Sequence, residues 1–421
     1  MTASPAPAPP ADRPDVRSVV VVGAGLAGAQ TVAALRSRGF DGRVTVLGAE
    51  DRAPYDRPPL SKELFTRDAP ADLSAELGVD LAALADDVRL GTRATGLVLG
   101  GADAPRIVTD TGDDVAADAV VLAVGSRPVV PPGWDDALLL HTWDDAVALR
   151  RELVEDARLV VVGAGWIGAE VAGAAAARGV DVVVVEAGAT PLERQLGAEV
   201  GRHLTPWYGD AGVALELEAP AVRVGRHQVA LADGRLLAGD VVLAAVGARP
   251  ATDWLRGTLT ADARGSLRGD ADGRVAPGVW AVGDCVTRHG TPFGDVVGGH
   301  WSAALQDPDR VVGALLEDVA ASAVPSQHAP YVFSTQLGHD LAVLGVPSPD
   351  HEVVLRGSPT SGGPWSALYL ERDSARLAAV LVADAHREVP VARKVLRDGP
   401  VLVDVAVASD PSRRLRDAVR S

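Results

Sequence analysis

Several short stretches of this chain are apolar almost without a break: S-V-V-V-V at 18–22, R-V-T-V-L at 43–47, A-V-V-L at 119–122, L-V-V-V at 159–162, D-V-V-V-V at 181–185 and D-V-V-L-A-A at 240–245. A strand with one wet face alternates apolar and polar residues, whereas continuous Val/Leu/Ala runs predict strands covered on both faces, as in parallel sheets flanked by helices. Two of these runs lead into the same text. The first precedes G-A-G-L-A-G and the helical A-Q-T-V-A-A-L-R-S-R; the fourth precedes G-A-G-W-I-G and A-E-V-A-G-A-A-A-A-R-G. Each is followed by a further strand, giving strand, turn, helix, strand twice. A second pair also repeats, A-V-V-L-A-V-G-S-R-P at 119–128 and D-V-V-L-A-A-V-G-A-R-P at 240–250, so the interior reads as a duplication. Beyond residue 330 the texture changes to short strand-like pieces (L-A-V-L-G-V, E-V-V-L-R-G, S-A-L-Y-L-E, L-A-A-V-L-V), then a helical A-R-K-V-L and a polar tail. The predicted fold is α/β: two Rossmann-like doubly wound dinucleotide-binding domains plus a smaller C-terminal α+β domain.

Composition narrows the function. Of 421 residues, 47% are hydrophobic, which is ample for large cores, and length alone suggests two or three domains. A net charge of −16 works against broad attraction to nucleic acid or an anionic membrane. The longest apolar stretch, 159–177, has the length of a membrane span, but it holds Glu170 and four glycines and reads as strand, turn and helix. Residues 1–15 are Pro/Ala-rich and predict a disordered lead-in; they have neither the basic nor the apolar region of a signal peptide, so a cytoplasmic setting is expected. The single cysteine, Cys285, excludes a disulfide framework, a four-cysteine zinc site and a Cys-x-x-Cys redox pair. It predicts a small packed residue. The nine histidines show no metal-ligand spacing, and no metal is expected.

The glycine turns carry the first chemistry. Following a strand and opening a helix, Gly23 permits the tight turn, Gly25 lets backbone N–H groups approach a pyrophosphate, and Gly28 lets helix and strand pack closely. Gly163, Gly165 and Gly168 have the same roles in the second unit. An acid is expected some 20 residues further on to bind a ribose hydroxyl, and Glu50 and Glu186 stand there. Glu186 favours NADH over NADPH: a carboxylate about 4 Å from a 2′-phosphate costs about 4 kcal/mol at an effective dielectric of 20, roughly three decades of affinity. Neighbouring Arg194 would soften that preference if its loop folds back. Two dinucleotide sites in one chain fit a flavoprotein in which NADH gives hydride to FAD.

P-Y-D-R-P-P-L-S-K at 54–62, G-A-G-W-I-G-A-E at 163–170 and V-W-A-V-G-D-C at 279–285 resemble the FAD-dependent NADH:ferredoxin reductases that serve bacterial oxygenases and cytochromes P450. The resemblance runs from about Val16 to at least Val346 with the motifs in order, within the pyridine nucleotide-disulfide oxidoreductase superfamily. It implies a discontinuous FAD-binding domain (16–125 and 250–325), an NADH-binding domain (126–249), a C-terminal interface domain (328–405) and a tail (406–421). Around the first unit the implied cofactor contacts are Gly23, Gly25, Leu26, Ala27, Gly28, Glu50, Arg57, Pro58, Lys62, Arg93, Gly125 and Arg127. Around the second they are Gly163, Gly165, Trp166, Ile167, Gly168, Glu170, Glu186 and Gly247. The late segments add Gly283, Asp284, which would bond the flavin's ribityl chain, then His300, Trp301 and Phe333. Lys62 and Glu170 would pair near the flavin's reactive edge, seat the nicotinamide and act as the catalytic residues. The chain has only two lysines, Lys62 and Lys394, so a compact point charge at 62 in an otherwise arginine-using chain supports a role there.

The implied reaction is an electron split: hydride from NADH onto FAD, then single electrons to a [2Fe–2S] ferredoxin serving an oxygenase or P450. Disulfide reductase and NADH peroxidase chemistry is excluded, because both need cysteines early in the chain and there are none. Two departures keep other readings open. Val297, Gly298 and Gly299 stand where the family usually has Arg-x-Glu, and V-F-S-T-Q replaces F-W-S-D-Q, with Phe333 for Trp and Thr335 for Asp. Gly298 and Gly299 would make room for a small molecule, giving a flavoenzyme with a direct substrate; a flavin-binding interaction protein with weak turnover is a further alternative. An acidic ferredoxin would need a local basic patch on this acidic chain, for which Arg387, Arg393, Lys394, Arg397, Arg413 and Arg414 are candidates.

Overall fold

The computed structural model describes residues 16–100, 104–134, 136–316 and 328–420. The lead-in expected at 1–15 lies outside them. The valine runs become the buried strands of two sheets. In the first, the order is Arg274–Ala276, Val279–Ala281, Ala119–Leu122, Ser18–Val22, Arg43–Leu47, Asp87–Arg89, parallel throughout except for the outer Arg274–Ala276 strand. In the second it is Ala214–Glu216, Asp181–Val185, Arg158–Val162, Val241–Ala244, all parallel. The glycine turns feed helices Leu26–Ser37 and Trp166–Ala176, and 159–177 is strand, turn and helix. Among the described residues no helix is long and apolar enough to cross a membrane.

The duplication extends beyond the turns. Each unit carries a three-stranded antiparallel meander before its last apolar strand: Ala94–Val98, Arg106–Thr109 and Asp114–Ala116 in one, Ala221–Val224, Gln228–Leu231 and Leu236–Ala238 in the other. The two Arg-Pro segments that end the repeats pair with each other. Ser126–Pro128 and Ala248–Pro250 form an antiparallel ribbon, Arg127 opposite Arg249, where the chain passes out of and back into the first unit.

The third part is an antiparallel sheet in the order Tyr331–Gln336, His339–Gly345, Arg376–Ala383, Trp365–Glu371, Glu352–Arg356, with Val401–Leu402 on the Arg376 end. Its first hairpin lies on the second dinucleotide unit. Leu337 packs so closely on Gly173 that a Cβ there would overlap its backbone, Tyr369 donates to the Leu196 carbonyl at 2.9 Å, and Trp207 stacks on His339 with ring centres 4.0 Å apart. The expected polar tail needs correction. Residues 406–420 pack onto this sheet through buried Leu415 and Ala418 and a bridge between Val403 and Val419. The reason is Arg356, a buried guanidinium held by Glu388 at 2.9 Å, whose other N–H groups need the carbonyls of Ala408, at 3.1 Å, and Arg413, at 2.5 Å.

Candidate functional site

The two turns are built alike and leave the same space. A Cβ on Gly23 would overlap the Ala123 carbonyl, and one on Gly28 would overlap the Gly23 carbonyl, so both positions are closed to side chains. At Gly25 a Cβ would meet nothing within 4 Å. Gly163, Gly168 and Gly165 repeat the pattern, with Gly165 facing open space. Gly25 and Gly165 cap their helices without any side-chain acceptor, so the first N–H groups of each point into a cradle that a Cβ would fill. That geometry fits a dinucleotide pyrophosphate in both units. Leu26 and Ala27, like Trp166 and Ile167, are the first helical residues beyond each cradle, and Ile167 is left exposed.

Both ribose-binding candidates are already tied down by neighbours. Glu50 accepts from Tyr55 Oη at 2.7 Å and from Arg57 Nη2 at 2.6 Å, and Arg57 also donates to the His141 carbonyl. Burial works to raise the Glu50 carboxyl, but Arg57 and the Tyr55 hydroxyl outweigh it and hold the group below the usual carboxylate range. Glu186, at the end of strand Asp181–Val185, accepts from the Ala164 N–H of the second glycine turn and from the Gly188 N–H, both at 2.8 Å. Its charge is thereby fixed at the mouth of that turn.

The late segments close over the first unit. Asp284 is half-buried and accepts from Ser126 Oγ at 2.8 Å; loss of solvent around its carboxyl lifts it above the usual range. Cys285 beside it is fully buried, 3.3 Å from the carbonyls of Leu122 and Val282, and burial pushes the thiol up to about 12. It stays protonated and inert. His300 caps the helix Trp301–Leu315, accepting from the Ala303 N–H at Nδ1 over 3.1 Å. Burial, reinforced by Arg288, pushes the ring down to about 4, so it is neutral, and an accepting Nδ1 requires the proton on Nε2. Trp301 Nε1 donates to Asp56 Oδ1 at 2.9 Å, which ties that helix start to the loop at 54–62. Trp301 meets Phe333 edge to face at 5.8 Å, and Phe333 stacks on Tyr331 at 5.9 Å.

Lys62 and Glu170, 108 residues apart, form an ion pair, with side chains 17% and 5% exposed. Lys62 Nζ also lies 5.1 Å from the Phe333 ring centre. Glu170 receives hydroxyl donors as well: Ser61 Oγ on Oε2 and Ser334 Oγ on Oε1, each at 2.5 Å.

Other candidates sit further from this cluster. Arg127 pairs with Asp253 on the crossover ribbon, and Gly125 and Gly247 lead into its two strands facing open space. Arg93 is exposed, its backbone N–H donating to Asp110 Oδ1 at 3.0 Å. One expectation needs correction. Gly298 makes no room for a substrate, because its α-carbon lies against the Gly283 carbonyl and the Asp284 backbone, and a Cβ there would overlap both. Backbone of the neighbouring segment fills the space beside Gly298, and of the two glycines only Gly299, at φ +109°, faces open space. Sequence reasoning missed Ser61, Ser126, Ser334, Tyr55 and Asp56 as contributors. Ser61, Tyr55 and Asp56 lie inside the P-Y-D-R-P-P-L-S-K motif, but serines 126 and 334 carry no local signal. Among the described residues no cluster of three or more His, Cys, Asp or Glu could hold a metal ion.

A family model described as pyridine nucleotide-disulphide oxidoreductase matches residues 17–307, and one described as reductase C-terminal matches residues 331–419. The chain is 32% identical over 420 residues to the biphenyl dioxygenase system ferredoxin–NAD(+) reductase component of Paraburkholderia xenovorans strain LB400, covering 96% of this chain and 99% of that protein. Among solved structures it is similar to Fdr9, at 37% identity and a TM-score of 0.85, over 95% of this chain and 99% of that one. It is also similar to putidaredoxin reductase in its covalent complex with putidaredoxin, at 25% identity and a TM-score of 0.81, over 95% and 97% of the two chains.

Proposed function

The chain belongs to the pyridine nucleotide-disulphide oxidoreductase family, in its FAD-dependent ferredoxin reductase branch, and on that premise we propose that it carries electrons from NADH to a [2Fe–2S] ferredoxin that serves an oxygenase or cytochrome P450. FAD, when bound, supplies the chemistry by taking hydride and releasing electrons singly. The observation that carries this reading is the Lys62–Glu170 pair, which bridges two units that each end in an open glycine cradle.

The chain's own residues bind and orient. The Gly25 and Gly165 cradles present N–H groups to the two pyrophosphates, and Arg57 and Glu50 brace the loop that carries Lys62. Ser126 fixes Asp284 for a hydroxylated chain, and His300 holds the helix start with a neutral ring. Lys62 and Glu170 hold the geometry in which nicotinamide and flavin meet, where alignment supplies most of the rate. Cys285 is too deeply buried and too weakly acidic to relay electrons. Dependence on NADH and a single cysteine support a cytoplasmic setting.

The test is an anaerobic titration of the purified flavoprotein with NADH and, separately, NADPH, following loss of the visible flavin band. NADH bleaches the band rapidly and NADPH does so at concentrations roughly three decades higher, because the Glu186 carboxylate, held at the second glycine turn, would repel a 2′-phosphate bound there. A bound flavin that neither nucleotide bleaches would falsify the electron-transfer reading.

A further inference from the structure

Three separate parts of the chain meet at one carboxylate. Glu170 stands on helix Trp166–Ala176 of the second dinucleotide unit; Ser61 and Lys62 come from the single turn Pro59–Lys62 of the first; Ser334 comes from strand Tyr331–Gln336 of the C-terminal sheet. Ser61, Glu170 and Ser334 are all buried. We propose that Ser334 and Ser61 are positioning residues that fix the Glu170 carboxylate and thereby aim the Lys62 ammonium, making the C-terminal sheet part of the machinery that accepts hydride. This rests on assigning the Lys62–Glu170 pair to the contact between nicotinamide and flavin.

The argument is one of donors and degrees of freedom. A lysine ammonium has three donors on a flexible four-carbon stem, so its direction is set by its acceptor. That acceptor is held at both oxygens, with Ser61 on Oε2 and Ser334 on Oε1, where Lys62 also donates. With either hydroxyl missing, the carboxylate is free to turn and the ammonium turns with it. Ser334 is itself rigidly placed. It pairs with Leu341 within the sheet, and Gln336 Nε2 donates to its Oγ at 3.4 Å, so the hydroxyl proton is directed to Glu170. The strand's distance from the helix is set nearby by the close approach of Leu337 to Gly173, three residues along the helix from Glu170. Neighbouring Thr335 points elsewhere, to Asp340 Oδ1 at 2.6 Å.

The experiment compares FAD-loaded wild type with S334A, S61A, Lys62→Met, Glu170→Gln and the combinations of S334A with the last two. In single-turnover anaerobic reduction by NADH, S334A and S61A each slow the reaction about tenfold, as expected for a misdirected group in an aligned site. In the Glu170→Gln background, S334A adds less than about twofold, because a serine acting through the carboxylate has nothing left to orient. The flavin midpoint potential, read by dye equilibration, moves to more negative values in S334A and in Lys62→Met, and no further when the two are combined. Should S334A fail to retain FAD, S61A carries the test from the opposite oxygen and a different part of the chain. Unchanged rate and potential in the serine variants overturn the proposal, as does the same slowing by S334A with and without Glu170. If wild type itself is not reduced by NADH, the assignment of the pair fails, and the proposal with it.

Discussion

A methyl group added at Gly25 would enter open space, while one at Gly28 would strike the Gly23 carbonyl, so glycines three residues apart answer to different constraints. Gly25→Val is therefore expected to leave the melting temperature of the apoprotein nearly unchanged while weakening FAD binding about a hundredfold, because its side chain fills the anion cradle. Gly28→Ala instead forces helix and strand apart and costs about 2 kcal/mol of stability with or without FAD. Thermal melts of the apoprotein, set beside a flavin fluorescence titration, separate the two. Equal effects of both variants on stability would mean that Gly25 is a packing glycine after all. These turn glycines could be read in the sequence because their constraint is local: strand, turn and helix follow one another directly. The partners of their acids could not. Glu50 is bound by a tyrosine and an arginine a few positions on, and Glu186 by the backbone of the turn itself.

Among the elements, the last fifteen described residues depart most from the pattern. Their polar text suggests a loose tail, yet Leu415 and Ala418 are buried and the carbonyls of Ala408 and Arg413 complete the hydrogen bonding of Arg356. Leu415, Ala418 and Val419, set among arginines and aspartates, make no periodic signal, and the need for carbonyl acceptors arises only from a guanidinium some fifty residues earlier. Leu415→Ala is expected to destabilise the C-terminal sheet by about 3 kcal/mol through the cavity it leaves. Urea unfolding followed by tryptophan fluorescence checks this, with Trp365 buried in that sheet as a reporter. No shift in the midpoint would mean that the segment is bound only loosely.

The molecule as a whole is acidic, with a net charge of −16, so an acidic partner must meet a local exception. Arg393 and Lys394 are exposed on helix Val389–Val395, and the Arg393 guanidinium lies 4.8 Å from the ring centre of Tyr331, at the outer end of the aromatic row that runs through Phe333 to Trp301. Arg397 is exposed too but partly spent on Asp398, 3.4 Å away. Reversing charge at Arg393 and Lys394 together is expected to slow ferredoxin-dependent turnover about tenfold at low salt and to flatten its salt dependence, leaving anaerobic reduction by NADH at the wild-type rate. Stopped-flow measurements across a salt series decide it, and an unaltered salt slope would place docking elsewhere.

The two strand–turn–helix units, the parallel sheets and the smaller third part are legible in residue order alone, because each is written in neighbouring residues whose spacing, branching and glycines act on the local backbone, whereas the loop carrying Lys62 was legible only through its resemblance to a family motif. Residue order could not determine which distant side chains meet. Ser126 reaches Asp284 across 158 residues and Ser334 reaches Glu170 across 164. The departure at Gly298 reads in sequence as a vacancy, yet in space the position is filled by the backbone of Gly283 and Asp284. Hydroxyls report no periodicity and a missing side chain reports no destination. Their roles are set when the crossover ribbon and the C-terminal hairpin bring three parts of the chain together around one buried carboxylate.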